Sequence, residues 1–363
     1  MKRTSARSAQ IFKELRDEIL SGCYSKSCRF PSEAALASRF DVSRSTMTIV
    51  VSDLERLGLV TRQQGRGTFV TKSAASRKIG LIVPGVVYSE FFPPIVSEIS
   101  RLAQENKYAL LFADVSSGDP KTRARQARAF ASFLVKENVS GVIFQPLEFL
   151  DDADRLNREI AEIFAAAEIP VVLLDSDIVS PPERSGLDVV GINNSDAGYR
   201  LAEHLLAQGA RKIHFQMRPN WAPSVRNRLR GVVTALGLRG LKCPVLTADP
   251  EDLSALRRHL RRGRPEAFVC GNDTAAAKFR QTLEKAGLRV PDDVLLAAFD
   301  DVQIASILTP PLTTIRQPCK EIGATLFNRL MERIAKPDLL PAEILLPSPL
   351  VVRASTRRRG GRP

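Results

Sequence analysis

Two groups of side chains in this 363-residue chain combine residue types that suit binding chemistry. The first runs through Phe30-Pro31-Ser32-Glu33, Val42-Ser43-Arg44-Ser45-Thr46 and Gln64-Gly65-Arg66-Gly67-Thr68-Phe69-Val70. Ser43, Ser45 and Thr46 carry short hydroxyls that reach phosphates or base edges. Arg44 is a forked cation suited to guanine O6/N7 or to phosphate. Ser32 and Glu33 open the helical segment before it, and Gln64, Gly65 and Arg66 make a basic turn where glycine permits close backbone approach. The second group is Asp175, Asn193, Asp273 and Asp300, with Trp221, the only tryptophan, as a flat surface on which a sugar ring can stack. Carboxylates and amides fix the direction of hydrogen bonds to a small hydroxyl-rich ligand, and an apolar wall completes such a site.

Catalysis has no comparable constellation. His204, His214 and His259 are dispersed without ligand spacing, and neither a glycine-rich phosphate loop nor a zinc pattern is present. Paired acids such as Asp300-Asp301 are groups that sugar binders use without chemistry. The five cysteines (Cys23, Cys28, Cys243, Cys270, Cys319) are scattered and odd in number. Cys23 and Cys28 have no second pair or nearby histidine, so they read as structural or incidental thiols. The expectation is a non-enzyme with no metal and no cofactor. The basic N-terminus lacks the apolar core of a secretory signal, and no apolar run approaches the ~18 residues that span a bilayer. A cytoplasmic protein without a membrane partner is expected.

The elements that carry the first group follow from periodicity. Ile11, Phe12, Leu15, Ile19 and Leu20 form a helical stripe over 8–21. Ser32 is a good N-cap for a helix over 33–40, and Glu33 suits its dipole. Asp41-Val42 makes a turn, and Ser43 caps a third helix to about Leu57 with Met47, Val50, Val51 and Leu54 inward. Gly58 closes it as the C′ residue. Residues 59–62 and 68–71 read as two short strands around Gly65-Arg66-Gly67. Helix, helix, helix and hairpin in that order predict a small α+β winged helix-turn-helix head, which slides the start of its recognition helix into the major groove of duplex DNA. Charge agrees: of the net +13, residues 1–78 hold +8 and the last seven residues add four Arg, leaving +1 for the 278 residues between.

From Lys78 onward, short β-branched runs alternate with helical segments. Strands are predicted at 79–83, 109–112, 141–144, 171–174, 189–192, 212–215, 267–270 and 295–299, with helices such as 95–105, 124–137, 196–208 and 275–286 between them. This alternation implies parallel sheets with right-handed crossovers. Eight strands over so long a stretch suggest two similar α/β lobes. Asp175, Asn193, Asp273 and Asp300 all fall at or just past a predicted strand end, where loops face the cleft of such a fold. The division expected is a DNA-binding head over 1–71, a linker over 72–78, a two-lobed effector-binding and dimerisation body over 79–356, and a basic tail over 357–363.

The motifs PSE, VSRST and QGRGTFV resemble the DNA-binding domain of the GntR family over 8–71. That resemblance implies a homodimer placing two heads on a two-fold symmetric double-stranded operator. Ala34 and Thr48 stand where family members often carry Arg, which points to a different preferred operator. The body resembles the effector-binding domain of the LacI/GalR family, with a periplasmic-binding-protein-like fold. The most specific passages are Cys270-Gly271-Asn272-Asp273-Thr274, and Ala298-Phe299-Asp300-Asp301 with Pro310-Pro311-Leu312-Thr313-Thr314. In that family the R-x-x-G spacing seen at Arg228 and Gly231 supplies the ligand arginine, and apolar residues sit where Phe91 and Phe92 follow the first strand. Together the two parts are laid out like arabinose-repressor-like regulators, implying a repressor controlled by a small sugar-like effector. Two alternatives are a solute-binding protein for transport, and a DNA-binding repressor whose body only dimerises.

Overall fold

A computed structural model describes residues 6–20, 23–24, 29–71, 78–86, 89–115, 118–148, 150, 152–179 and 182–357. Cys28, linker residues 72–77 and tail residues 358–363 lie outside the described residues.

The head comprises α1 (Ala6–Leu20), α2 (Glu33–Phe40), α3 (Arg44–Arg56), β1 (Val60–Gln63) and β2 (Gly67–Val70). Local chemistry sets these boundaries. Ser32 accepts a hydrogen bond from the Ala35 amide at 3.2 Å, and Ser43 from the Thr46 amide at 3.1 Å, so each caps the helix that follows. Gly58 has φ 68°, and its amide and that of Leu59 donate back to Glu55 and Leu54, ending α3 in a Schellman turn. The strands form an antiparallel hairpin from Val60↔Val70 to Gln63↔Gly67. Ile11, Leu15, Phe30, Leu36, Met47 and Leu54 form the middle of a separate small core.

The body folds into two lobes, each with a six-stranded sheet. Lobe one contains β3 (Lys78–Ile82), α4 (Phe92–Glu105), β4 (Ala109–Ala113), α5 (Pro120–Lys136), β5 (Gly141–Phe144), α6 (Ala153–Ala166), β6 (Val171–Leu174) and β7 (Asp188–Ile192). Lobe two follows with α7 (Asn194–Ala207), β8 (Ile213–Met217), α8 (Pro223–Gly237), β9 (Val245–Thr247), α9 (Leu253–Leu260) and β10 (Ala267–Cys270). It continues with α10 (Asp273–Lys285), β11 (Leu295–Asp300), α11 (Gln303–Ile307) and β12 (Thr313–Arg316). The chain then returns to lobe one for α12 (Cys319–Ala335) and β13 (Glu343–Leu346), and ends in lobe two with β14 (Leu350–Val351). Strand orders are β13-β7-β6-β5-β3-β4 and β14-β12-β11-β10-β8-β9, parallel apart from the β12–β14 pair. The eight expected body strands are present, and β9, β12, β13 and β14 add to them.

The lobes therefore exchange the chain three times, near residues 193, 317–318 and 347–349, and such exchanges make a hinge. On lobe one, α12 is tied to the sheet by Asp188, which is 1 % exposed. Its carboxylate accepts from Arg329 at 2.8 Å, Arg333 at 2.9 Å and the Ala342 amide at 2.8 Å. In lobe two, α7 and α8 cross at glycines. A Cβ on Gly198 would lie 2.0 Å from the Arg228 carbonyl oxygen, and one on Gly231 would lie 1.9 Å from that of Ser195. Gly231 thus serves the R-x-x-G spacing by letting α8 press onto α7, which fixes where Arg228 emerges.

Away from the cleft, the ring nitrogens of His214 and His259 meet at 2.8 Å beneath Phe268. Burial, with the neighbouring His259 second, pulls His214 down to about 4 from an ordinary 6.5. A folded-state value below the unfolded one means stability is complete above pH 6.5 and is lost as pH falls through about 4. Urea unfolding is expected to show a loss of roughly 1–2 kcal/mol between pH 7 and 4, after allowance for solvent screening. A His214→Gln/His259→Gln double variant should lack that part of the pH dependence.

Candidate effector cleft and DNA-facing head

The gap between the lobes is a cavity of about 530 Å³, within the range of small-molecule sites. Of the residues singled out from sequence, Phe91, Phe92, Asp175, Trp221, Arg228 and Asp300 line it. Phe91 and Phe92 meet edge to face, 5.0 Å between centroids, at the start of α4. Trp221 is 5 % exposed, and its ring lies over Gly271, where a Cβ would come within 2.8 Å of it. Asp175 and Asp300 hold φ values of 70° and 114°, left-handed conformations that cost non-glycine residues free energy and recur at binding sites.

Arg228 organises the floor. Its Nε donates to Asn194 Oδ1 at 2.8 Å and its Nη1 to the Gly271 carbonyl at 2.7 Å, while Nη1 lies 3.2 Å from Asp300 Oδ1. The guanidinium sits 4.8 Å above the Phe299 ring. Gln317, on the second crossing, donates to the same Asp300 oxygen at 2.7 Å. Burial pushes the Asp300 carboxyl up to about 6 against the opposing pull of Arg228.

Two of the expected ligand residues do not line this cleft. Asp273 is fully buried: it accepts from Thr314 Oγ1 at 2.7 Å and from the Val302 amide at 3.1 Å. Burial and the charge of Asp300 hold its carboxyl well above the usual range. It shapes the loop after β11, the strand that ends in Asp300, and of that motif Asn272 and Thr274 face the cavity. Asp273→Ala leaves a buried hydroxyl and amide unmatched, so unfolding should cost about 1–3 kcal/mol less than in the parent. A thermal melt unchanged from the parent would refute this. Asn193 is exposed and caps α7, accepting from the Asp196 amide at 3.0 Å. Its neighbour Asn194, one residue into the helix and turned inward, is the one that holds Arg228.

The cavity also gathers residues that no sequence motif pointed to, chiefly Gln145, Glu148 and Gln317, and Asn272, which the motif names without a ligand role. Gln145 directly follows the strand at 141–144, so the strand-end rule used for Asp175 would have found it. Gln317 follows β12, a strand the apolar pattern did not reveal. Glu148 accepts from the Ala222 amide at 3.1 Å, linking lobe one to lobe two.

In the head, Arg44 is the first residue of α3 and is exposed, as is Arg66 at the hairpin tip. Neither guanidinium has an ion-pair partner among the described residues. Ser45 and Thr46 cluster with the capping Ser43, hydroxyl to hydroxyl at 2.8 Å. Ser32 spends its oxygen on its cap, and Gln64 and Gly65 are exposed in the turn beside Arg66. Glu33, expected at the DNA surface, keeps a side chain 30% exposed that also braces the head. It accepts from Thr48 Oγ1 at 2.6 Å and Arg62 Nη2 at 2.7 Å, and Arg62 also reaches Glu55 at 2.7 Å. Thr48 thus holds α3 to α2, and Arg62 ties the hairpin to both.

Residues 7–70 match the bacterial regulatory proteins of the gntR family, and residues 202–356 match a periplasmic binding protein-like domain. The arabinose metabolism transcriptional repressor of Geobacillus stearothermophilus is 28% identical over 375 residues, covering 98% of this chain and 99% of that protein. The ribose operon repressor of Escherichia coli K12 is 28% identical over 284 residues, 76% of this chain and 81% of that one. Among solved structures, a periplasmic binding protein/LacI transcriptional regulator from Alkaliphilus metalliredigens, complexed with D-xylulofuranose, aligns with a TM-score of 0.64 at 23% identity. It covers 78% of this chain and all of that one. The chain thus joins a helix-turn-helix domain that matches the gntR family to a two-lobed body with the periplasmic-binding-protein-like fold.

Proposed function

We propose that the chain is a cytoplasmic, homodimeric transcriptional repressor whose affinity for double-stranded operator DNA is set by a small sugar-like effector, and that it performs no chemistry. The observation that carries the reading is the joining, in one chain, of free cations at the tip of a helix-turn-helix head to a hinged cavity rich in hydrogen-bonding groups. The head spans 1–71 and the effector-binding and dimerising body 79–356, joined by the linker, with the basic tail over 357–363 adding phosphate affinity. Ser43, Arg44, Ser45 and Thr46 enter the major groove, and Gln64, Gly65 and Arg66 track the neighbouring backbone. Arg228 and Asp300 grip ligand hydroxyls from lobe two, Asp175 from lobe one, with Trp221, Phe91 and Phe92 walling the ring.

Effector closes the lobes and changes the spacing or orientation of the two heads. Operator affinity then shifts by the effector's differential affinity for the two arrangements. Support comes from relatives named as arabinose and ribose repressors, one aligned over nearly its full length. The same head disfavours the transport reading, and the strained, polar cavity disfavours a body that only dimerises. A test titrates purified protein against a sugar panel while following binding to promoter DNA from its own locus. If no sugar, nucleoside or amino acid raises the melting temperature or alters DNA affinity, the sensor reading fails.

A further inference from the structure

The unmatched groups of the cleft are of one kind. Arg228 is answered by Asp300 at 3.2 Å, Arg218 by Asp249 at 3.2 Å and Lys278 by Glu251 at 2.8 Å. Glu148 and Asp175, both facing the same cavity from lobe one, have no ion-pair partner among the described residues. Among the described residues the Glu148 carboxylate accepts the Ala222 amide alone, while its backbone carbonyl takes Arg123 at 2.9 Å, and Asp175 meets Asn194 Nδ2 at a long 3.5 Å. Two further acceptors are buried without a partner: Gln145 Oε1 and Gln317 Oε1, on side chains 2 % and 4 % exposed that line the cavity. Among the described residues that line the cavity, both buried atoms without a partner are thus acceptors that ask for hydrogen from the ligand.

A neutral sugar supplies hydroxyls to the two glutamines but brings no charge to two carboxylates closed into a low-dielectric space, where the cations acting on Glu148, Arg123 and Arg228, are already engaged with the Glu148 carbonyl and with Asp300. An ammonium supplies three donors and the missing charge together. Trp221 and the Phe91–Phe92 pair accept both a ring face and a nearby cation. Resting on the effector reading above, we infer that the ligand is a small polyhydroxylated primary amine, an amino sugar, whose ammonium sits between Glu148 and Asp175. Burial, with the charge of Asp175 second, pushes Glu148 up to about 7, a strain that a bound cation relieves.

Calorimetric titration of the full chain tests this with glucosamine, galactosamine and mannosamine, their parent hexoses, their N-acetyl forms, and ribose and arabinose. One amine should bind about 10- to 100-fold tighter than its parent and N-acetyl counterparts. At pH 7 its binding should release protons as Glu148 ionises, read as a heat that varies with the ionisation heat of the buffer. Glu148→Gln, which keeps an acceptor for the Ala222 amide, should erase most of the amine's advantage over its parent hexose together with the proton release. A parent sugar binding as tightly as any amine overturns the inference and leaves the effector reading standing. Silence from every sugar overturns the inference, and silence that extends to nucleosides and amino acids overturns the effector reading with it. An undiminished amine preference in both Glu148→Gln and Asp175→Asn removes the ammonium from this place.

Discussion

Replacing Arg228 with Met is expected to abolish the effector response and to cost about 3–5 kcal/mol of stability, the usual penalty for breaking a buried ion pair from one side. The change strands Asp300, 8 % exposed, with Asn194 Oδ1 and the Gly271 carbonyl, and removes the cation over Phe299. The pH dependence distinguishes this from loss of packing. Arg228 opposes the burial that lifts Asp300 to about 6, so without it the folded-state value climbs further. A carboxyl raised in the folded state costs stability as pH rises through that value, so the deficit of the variant should shrink as pH falls from 7 towards 5. Arg228→Lys should rescue only part, since one ammonium cannot serve Asn194, Gly271 and Asp300 in the planes that a guanidinium does. Denaturant unfolding across pH, with DNA binding measured below the melting temperature, checks both claims. A deficit constant with pH would mean Arg228 acts only by filling space.

What was legible in the chain was whatever local chemistry decides. The caps at Ser32 and Ser43 and the Schellman glycine at Gly58 are short-range signals, and each stands where the residues point. Central parallel strands such as 141–144 and 171–174 are buried on both faces, so they appear as plain apolar runs. The edge and return strands were harder: 343–346 alternates exposed and half-buried residues, and 350–351 is too short to carry a pattern. The site was legible to the extent that strand ends face the cleft. Position along the chain does not say which way a side chain turns, and that is where the reading slipped. Asn193 and Asn194 differ by one residue, yet a cap points outward and the first helical residue points in. Asp273 sits beside a cleft residue, but its neighbours Thr314 and Val302 come from elsewhere in the chain and draw it into the core. Glu33 was likewise captured by Arg62, twenty-nine residues away and across a turn.

Arg44→Ala is expected to remove most operator binding without touching the effector site. The side chain is exposed, its guanidinium makes no ion pair among the described residues, and its helix is capped by Ser43 rather than by itself. Thermal stability should therefore hold within about 0.5 kcal/mol. A lost arginine contact to a base costs about 1–3 kcal/mol, and the proposed two-fold symmetric dimer would lose two, giving roughly 30-fold to about 25,000-fold weaker binding. Loss should be steeper on the native operator than on scrambled DNA if Arg44 reads a base; an equal loss on both would assign it to phosphate. Arg66→Ala, at the hairpin tip, should instead weaken all sequences alike and lower the salt slope by about 1 per head. Linkage adds a sharper requirement: effector and operator must change each other's affinity by one factor, because both bias the same pair of arrangements. Arg44→Ala should scale operator affinity while leaving that factor intact, whereas the Arg228 variant should bring it to unity with operator affinity nearly unchanged. If Arg44→Ala altered the coupling factor itself, the head would be part of the switch rather than its load, and the hinge between the lobes would no longer suffice as the element that both ligands bias.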